Sequence, residues 1–154
     1  MTTFSFVLVD DLMTRSPRTV TADTTIGDAV QVMRTLNIHH LLVTNDEGGF
    51  VGLVSDTDFA RRSVGPLNSE SFEDQTASLA APVSTIMNGG AVAIEANEDV
   101  EEAVDLMEEN TMGALAVIDR DGGVVGIVSY LDVTQRLLVL GSPLETIRGH
   151  RHLG

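Results

Sequence analysis

Two serine and aspartate pairs are the residues of this 154-residue chain whose types and spacing could do chemistry. Ser55 precedes Asp58 and Ser129 precedes Asp132, three residues apart in each pair, and the two pairs stand 74 residues apart. A carboxylate at a helix start can accept both hydroxyls of a vicinal diol, while the free backbone amides of the first turn attract phosphate. The competing reading is structural: the serine caps the helix, and the dipole favours the acid by about 0.3 to 1 kcal/mol. A triad could be drawn by adding a histidine to Ser55 and Asp58, yet a serine and an aspartate three apart around a helix start need no base to explain them. Neighbouring strand residues point to opposite faces, so His39 and His40 do not chelate one ion together. The glycine pairs beginning at Gly48 and Gly122 lack the lysine and the following helix of a phosphate loop and read as hairpin turns. No catalytic residue and no metal ligand is predicted, and the chain is read as a non-enzyme.

Composition narrows the partners. Nine basic residues against 23 acidic ones give a net charge of -14, which opposes a sequence-independent grip on nucleic acid or anionic lipid. The absence of cysteine excludes disulfides, thiolate zinc sites, iron-sulfur clusters and cysteine nucleophiles. The longest apolar runs, such as FVLV at 6–9 and LLVL at 137–140, fall far short of the roughly 20 residues a membrane span needs. No arginine or lysine precedes Arg15, which speaks against a signal peptide with a basic start. The expectation is a soluble, cytoplasmic protein with no nucleic-acid and no membrane partner.

The elements that must position the two pairs repeat with them. Residues 13–62 align without a gap on 87–136, matching Met13 with Met87, Ala29 and Val30 with Ala103 and Val104, Met33 with Met107, and Gly52 with Gly126. Ile26, Ala29, Val30, Met33 and Leu36 form the stripe of an amphipathic helix, and Val100, Ala103, Val104 and Met107 repeat it. Thr25 before Asp28 and Asp99 before Glu102 predict a cap at each helix start. Two short apolar runs joined by a glycine turn follow in each repeat, then a second helix begins after Ser55 or Ser129. With a first short strand near 19–21 or 92–95, each repeat reads strand, helix, strand, strand, helix. The fold class is α+β, with helices on one face of each small sheet and the two repeats packed sheet to sheet with pseudo-two-fold symmetry. The expected boundaries are 1–62 for the first repeat with an N-terminal linker, 63–84 for a polar inter-repeat linker, 85–140 for the second repeat and 141–154 for a tail. SLAAPVST at the end of the linker reads as a short helix leading into the second repeat.

GLVSDTD at 52–58 and GIVSYLD at 126–132 resemble the heptapeptide of the CBS domain: glycine, two apolar residues, serine or threonine, two variable residues, aspartate. Two such stretches, each after a glycine hairpin and an amphipathic helix, make the chain similar to a CBS domain pair, or Bateman module, over nearly its whole length. The resemblance implies a stand-alone regulatory module that binds an adenosine-containing ligand in clefts between the repeats and signals to a partner protein. AMP, ADP, ATP or S-adenosylmethionine is the implied regulatory ligand, with no obligatory cofactor. By the same resemblance Asp58 and Asp132 accept the ribose hydroxyls, with Thr57, Tyr130 and Leu131 beside them, and Ser55 and Ser129 meet ribose or the first phosphate. Adenine lies near Thr19, Val20 and Ala22 in one half and Ala93, Ile94 and Ala96 in the other. Residues of the opposite repeat close each cleft: Met112, Gly113 and Ala114 that of Asp58, and His39, His40 and Leu41 that of Asp132. Arg61, Arg62 and Arg136 read as a solvated helix face. A homodimer is expected through apolar helix stripes at Val133, Leu137, Leu138 and Leu140. The alternative is a dimerisation or protein-interaction module with vestigial clefts and no ligand.

Overall fold

A computed structural model describes residues 7–64 and 79–139. Most of the expected linker, Leu140 and the tail lie outside the described residues, as do the side chains of 61–64 and 137–139, and with them Arg61, Arg62, Leu137 and Leu138. In chain order the elements are α1 (Val9–Leu12), β1 (Thr14–Arg15), β2 (Thr19–Thr21), α2 (Ile26–Leu36), β3 (His40–Thr44), β4 (Phe50–Ser55), α3 (Asp56–Val64), β5 (Ala93–Glu95), α4 (Val100–Glu109), β6 (Ala114–Ile118), β7 (Val124–Ser129) and α5 (Tyr130–Val139). The predicted order of strand, helix, strand, strand, helix is present twice in this mixed α+β chain. Each strand and helix of the second set starts 74 residues after its counterpart.

Contacts divide the chain elsewhere than the sequence repeat does: residues 18–91 form one compact unit, and residues up to 17 join those from 92 onward in the other. The unit of residues 18–91 holds a three-stranded sheet in the order β2-β3-β4, with β2 parallel and β4 antiparallel to β3. Its core gathers Ala29 and Met33 of α2 with Leu41, Val43 and Val54 of the sheet. Val83 joins that core, so the single turn of 3-10 helix over Val83–Thr85 packs with the first repeat. Leu36 departs from its predicted stripe and is 47% exposed, because Asn37 ends the helix in a left-handed conformation just beyond it.

The other unit holds a four-stranded sheet, β1-β7-β6-β5, and its core joins Val9 of α1 to Val100, Val104 and Met107 of α4 and to Leu115, Val117 and Val128 of the sheet. Val133 also belongs to this core and has no exposed surface, which corrects its assignment to an outward stripe. Among the described side chains of α5, the exposed apolar one is Leu131, at 60%. Both hairpins need their glycines: Gly48 and Gly122 adopt φ of +85°, a region that costs glycine little because it has no Cβ. Their neighbours Asn45 and Asp119 close the turns by accepting the amides of Gly49 and Gly123 at 2.8 and 2.9 Å.

Candidate functional site

Each serine and aspartate pair sits where a strand runs directly into a helix, β4 into α3 and β7 into α5. The first amides of such a helix have no partner within it. The sequence supplies one locally: Ser55 Oγ accepts the amide of Asp58 at 3.3 Å, and Ser129 Oγ accepts that of Asp132 at 3.0 Å. The aspartates answer by accepting the serine amides through Oδ2, at 2.8 Å from Ser55 and 2.9 Å from Ser129. Ser55 adds a hydroxyl bond to the same oxygen at 3.1 Å. These are reciprocal capping boxes. Among the described residues no donor reaches Oδ1 of either aspartate, so one oxygen of each half-buried carboxylate is left for a hydroxyl. The structural and the ligand readings of these residues are therefore compatible.

The caps of α2 and α4 differ from expectation in one half. Thr25 accepts the amide of Asp28 as predicted, at 3.1 Å, whereas the Asp99 side chain makes no cap bond. There the Asp99 carbonyl accepts the Glu102 amide instead, at 3.0 Å.

Around the first cap, His39 and His40 lie at the entry to β3, and the His39 carbonyl accepts the amide of Asp56 at 3.0 Å. Its ring closes on the same residue, Nδ1 to Asp56 Oδ2 at 3.0 Å, with the two side chains 66% and 59% exposed. His39 and Asp56 also line a cavity of about 300 Å³ with Met33, Ile38 and Phe59. Thr57 is exposed on α3, Thr19, Val20 and Ala22 are half-buried along and just after β2, and Leu41 is fully buried in the core.

Around the second cap, Gly113 stands where His39 does and Tyr130 where Asp56 does, and the Gly113 carbonyl accepts the Tyr130 amide at 2.9 Å. Tyr130, Met112 and Ala96 pack against the core, Ile94 and Ala114 lie within buried strands, and Leu131 is exposed. Asp132 lines a cavity of about 260 Å³ with Asp11, Leu12, Gln135 and Arg136. Ala93 and Ile94 line a separate, larger one of about 470 Å³, among Glu95, Glu98, Glu102 and Asp119. Sequence reasoning did not find Asp11 or Asp56. Their signals were short-range ones, an acid in the segment matching 85 and an acid at a variable place of the heptapeptide.

This architecture has relatives. The CBS domain model matches residues 9–65 and 83–139, and the chain belongs to the CBS domain family. A CBS domain-containing protein of Dictyostelium discoideum is 33% identical over 139 residues, covering 90% of this chain and 96% of that protein. Inosine-5'-monophosphate dehydrogenase of Methanocaldococcus jannaschii is 28% identical over 127 residues, 82% of this chain but only 23% of the enzyme. Among solved structures, CBSX2 in complex with AMP superposes with a TM-score of 0.72 at 24% identity, covering 88% of this chain and 98% of the other. The CBS domain pair of protein MJ0100, in complex with 5'-methylthioadenosine and S-adenosyl-L-methionine, gives 0.73 at the same identity and coverage.

Proposed function

We propose that this CBS pair is a regulatory module, without catalytic activity of its own, that binds an adenosine-containing ligand through Asp58 and Asp132 and passes its occupancy to a partner protein. The observation that carries this reading is the repeated cap. In both repeats the aspartate is held rigidly by a backbone amide through one oxygen, with the other free of protein donors among the described residues. A carboxylate fixed in this way is ready to accept a ribose hydroxyl without first losing rotamer freedom. Support for the ligand class comes from the related pairs crystallised with AMP and with 5'-methylthioadenosine and S-adenosyl-L-methionine. AMP, ADP, ATP and S-adenosylmethionine all carry the required diol. The reading includes a homodimer, for which the exposed Leu36 and Leu131 speak, and a cytoplasmic setting. No helix among the described residues is long and apolar enough to cross a membrane.

A second reading has one observation in its favour. Both capping boxes are complete without any ligand, so the serine and aspartate pairs also suit a ligand-free interaction module. Calorimetry with AMP and 5'-methylthioadenosine on the wild type, Asp58→Asn and Asp132→Asn separates the two. Asparagine keeps an oxygen for the serine amide and removes the charge. Loss of a charge-assisted acceptor should weaken binding by about 1 to 3 kcal/mol, roughly 5-fold to 150-fold. Asp132→Asn is expected to have the larger effect, since Asp132 lines a cavity with four other side chains. Unchanged binding in both variants, with melting curves showing them folded, would reject the ribose role and favour the interaction module.

A further inference from the structure

The cavity of about 300 Å³ between the end of α2 and the start of α3 is lined by neither Ser55 nor Asp58, so it is separate from the capping-box carboxylate. Part of its lining is apolar: Met33 is buried, and Ile38 and Phe59 pack half-buried against the same core. Two exposed charges of opposite sign, Arg34 and Asp56, line it as well. Arg34 has no ion pair among the described residues, where the pairs are Arg15 with Asp10 and His39 with Asp56. Asp56 is held by the His39 ring, whose Nδ1 donates to Oδ2 at 3.0 Å, while among the described residues Oδ1 meets only the Thr57 hydroxyl, at 3.5 Å. The fold requires none of these three polar side chains. The second repeat builds the same elements with Glu108 in place of Arg34, Gly113 in place of His39 and Tyr130 in place of Asp56, and there the tyrosine packs against the core.

We propose that this cavity is a second ligand site, for a free apolar α-amino acid, with the carboxylate on Arg34, the ammonium on Asp56 and the side chain against Met33, Ile38 and Phe59. The site goes beyond the ribose reading and does not depend on it. A plain carboxylate would be attracted by Arg34 and repelled by Asp56 within one cavity, and a plain amine the reverse. A zwitterion meets each group with the opposite sign. Arg34 can hold a carboxylate through two parallel N–H bonds, which fixes its orientation as well as its charge. His39 is a positioning residue, since its bond to Oδ2 keeps Oδ1 of Asp56 available for the ammonium. The volume stands at the lower end of small-molecule pockets, about 300 to 1,000 Å³, and suits a single amino acid better than a nucleotide.

The test is an NMR titration of the full chain at neutral pH with L-phenylalanine, 3-phenylpropionate and 2-phenylethylamine as probes. The second probe lacks the ammonium and the third lacks the carboxylate. L-phenylalanine is expected to shift the signals of Met33, Ile38 and Phe59 and to bind at least about fivefold more tightly than either analogue. Arg34→Gln should lower its affinity to that of 2-phenylethylamine and Asp56→Asn to that of 3-phenylpropionate, while Asp58→Asn leaves it as it was. The wild type alone is enough to refute the site: no binding at millimolar concentration, equal affinity for the three probes, or shifts confined to other residues overturns the proposal. An affinity that falls as far in a folded Asp58→Asn as in Asp56→Asn moves the amino acid to the capping-box carboxylate and overturns it too.

Discussion

The sheet of the second repeat has four strands and that of the first has three, and the matched residues at the differing edge show why. Beside the second repeat, Thr14 pairs with Ile127 and Arg15 with Gly126. Beside the first, the matched stretch makes only the Leu53 and Asn88 bridge, through two backbone bonds of 3.2 and 2.8 Å. Where Arg15 and Ser16 extend one edge, Gly89 and Gly90 follow Asn88, and glycine gives up the most conformational freedom in a strand. The methionine before each stretch is common to both. A Cβ on Gly126 would come 2.6 Å from Met13 Sδ, and one on Gly52 would come 2.7 Å from Met87 Sδ. The thioether seated on a strand glycine thus places the segment, and the residues after it decide between a strand and a bridge.

The strongest test of this comparison adds a methyl under each methionine. At Gly126 the new carbon would also meet the Thr14 carbonyl oxygen at 3.0 Å, a backbone atom held by the β1 ladder, whereas at Gly52 the nearest backbone oxygen, that of Asn88, is 3.3 Å away. A side-chain sulfur can swing aside more easily than a paired strand. Gly126→Ala should therefore destabilise by about 1 to 3 kcal/mol and Gly52→Ala by less, read from urea midpoints of the two variants. Equal losses would mean that the sulfur contact alone sets the cost.

A smaller effect of opposite sign is expected at the bridge. Nothing lies within 4 Å of a Cβ built on Gly89, and its backbone is not in the left-handed region. Gly89→Thr should then add a β-favouring residue beyond Asn88 at no steric cost and stabilise by about 0.5 to 1 kcal/mol. Urea unfolding gives the magnitude, and added protection of the Gly52 region in hydrogen exchange would show the bridge lengthening into a strand. A destabilised variant would refute the account of the three-stranded edge.

Much of this was legible in the sequence because the signals were local and repeated. Helix stripes, glycine hairpins and the serine and aspartate pairs each fix a conformation within a few residues, and a second copy 74 residues on removes coincidence. What stayed hidden was the partnership between distant segments. Val83 and Met87 pack on the first repeat and Val9 and Met13 on the second, yet no periodicity in a four-residue helix or a single methionine says which sheet it will cover. Val133 was misplaced for a related reason: Leu131 and Val133 lie on different sides of α5, and spacing alone does not tell the buried one from the open one. At the site, Ser129 and Asp132 were visible as a pair, but the grouping of Asp132 with Asp11 depends on where α1 docks.

The finest difference between the repeats lies at the ends of their first helices. Asn37 after α2 and Thr111 after α4 both adopt φ of +53°. Both positions close the helix in the same way, with the next amide returning to a carbonyl five residues back, Ile38 to Met33 at 3.0 Å and Met112 to Met107 at 2.8 Å. That closure requires a left-handed residue, which is why glycine or asparagine usually stands there. Asn37 meets the requirement at low cost, since its short polar side chain tolerates the conformation. Thr111 is β-branched, and its branched Cβ crowds the backbone in that region. Glycine at 111 relieves the strain but also loosens the unfolded chain, so the two contributions partly offset each other. Thr111→Gly is expected to stabilise by about 0.5 kcal/mol, a rise of roughly 1 to 2 °C in Tm for a chain of this size, while Asn37→Gly should leave Tm unchanged within about 1 °C or lower it slightly. Differential scanning calorimetry on the pair decides it: a fall in Tm for Thr111→Gly as large as that for Asn37→Gly would show that the threonine carries no strain and that the two helix ends are energetically alike.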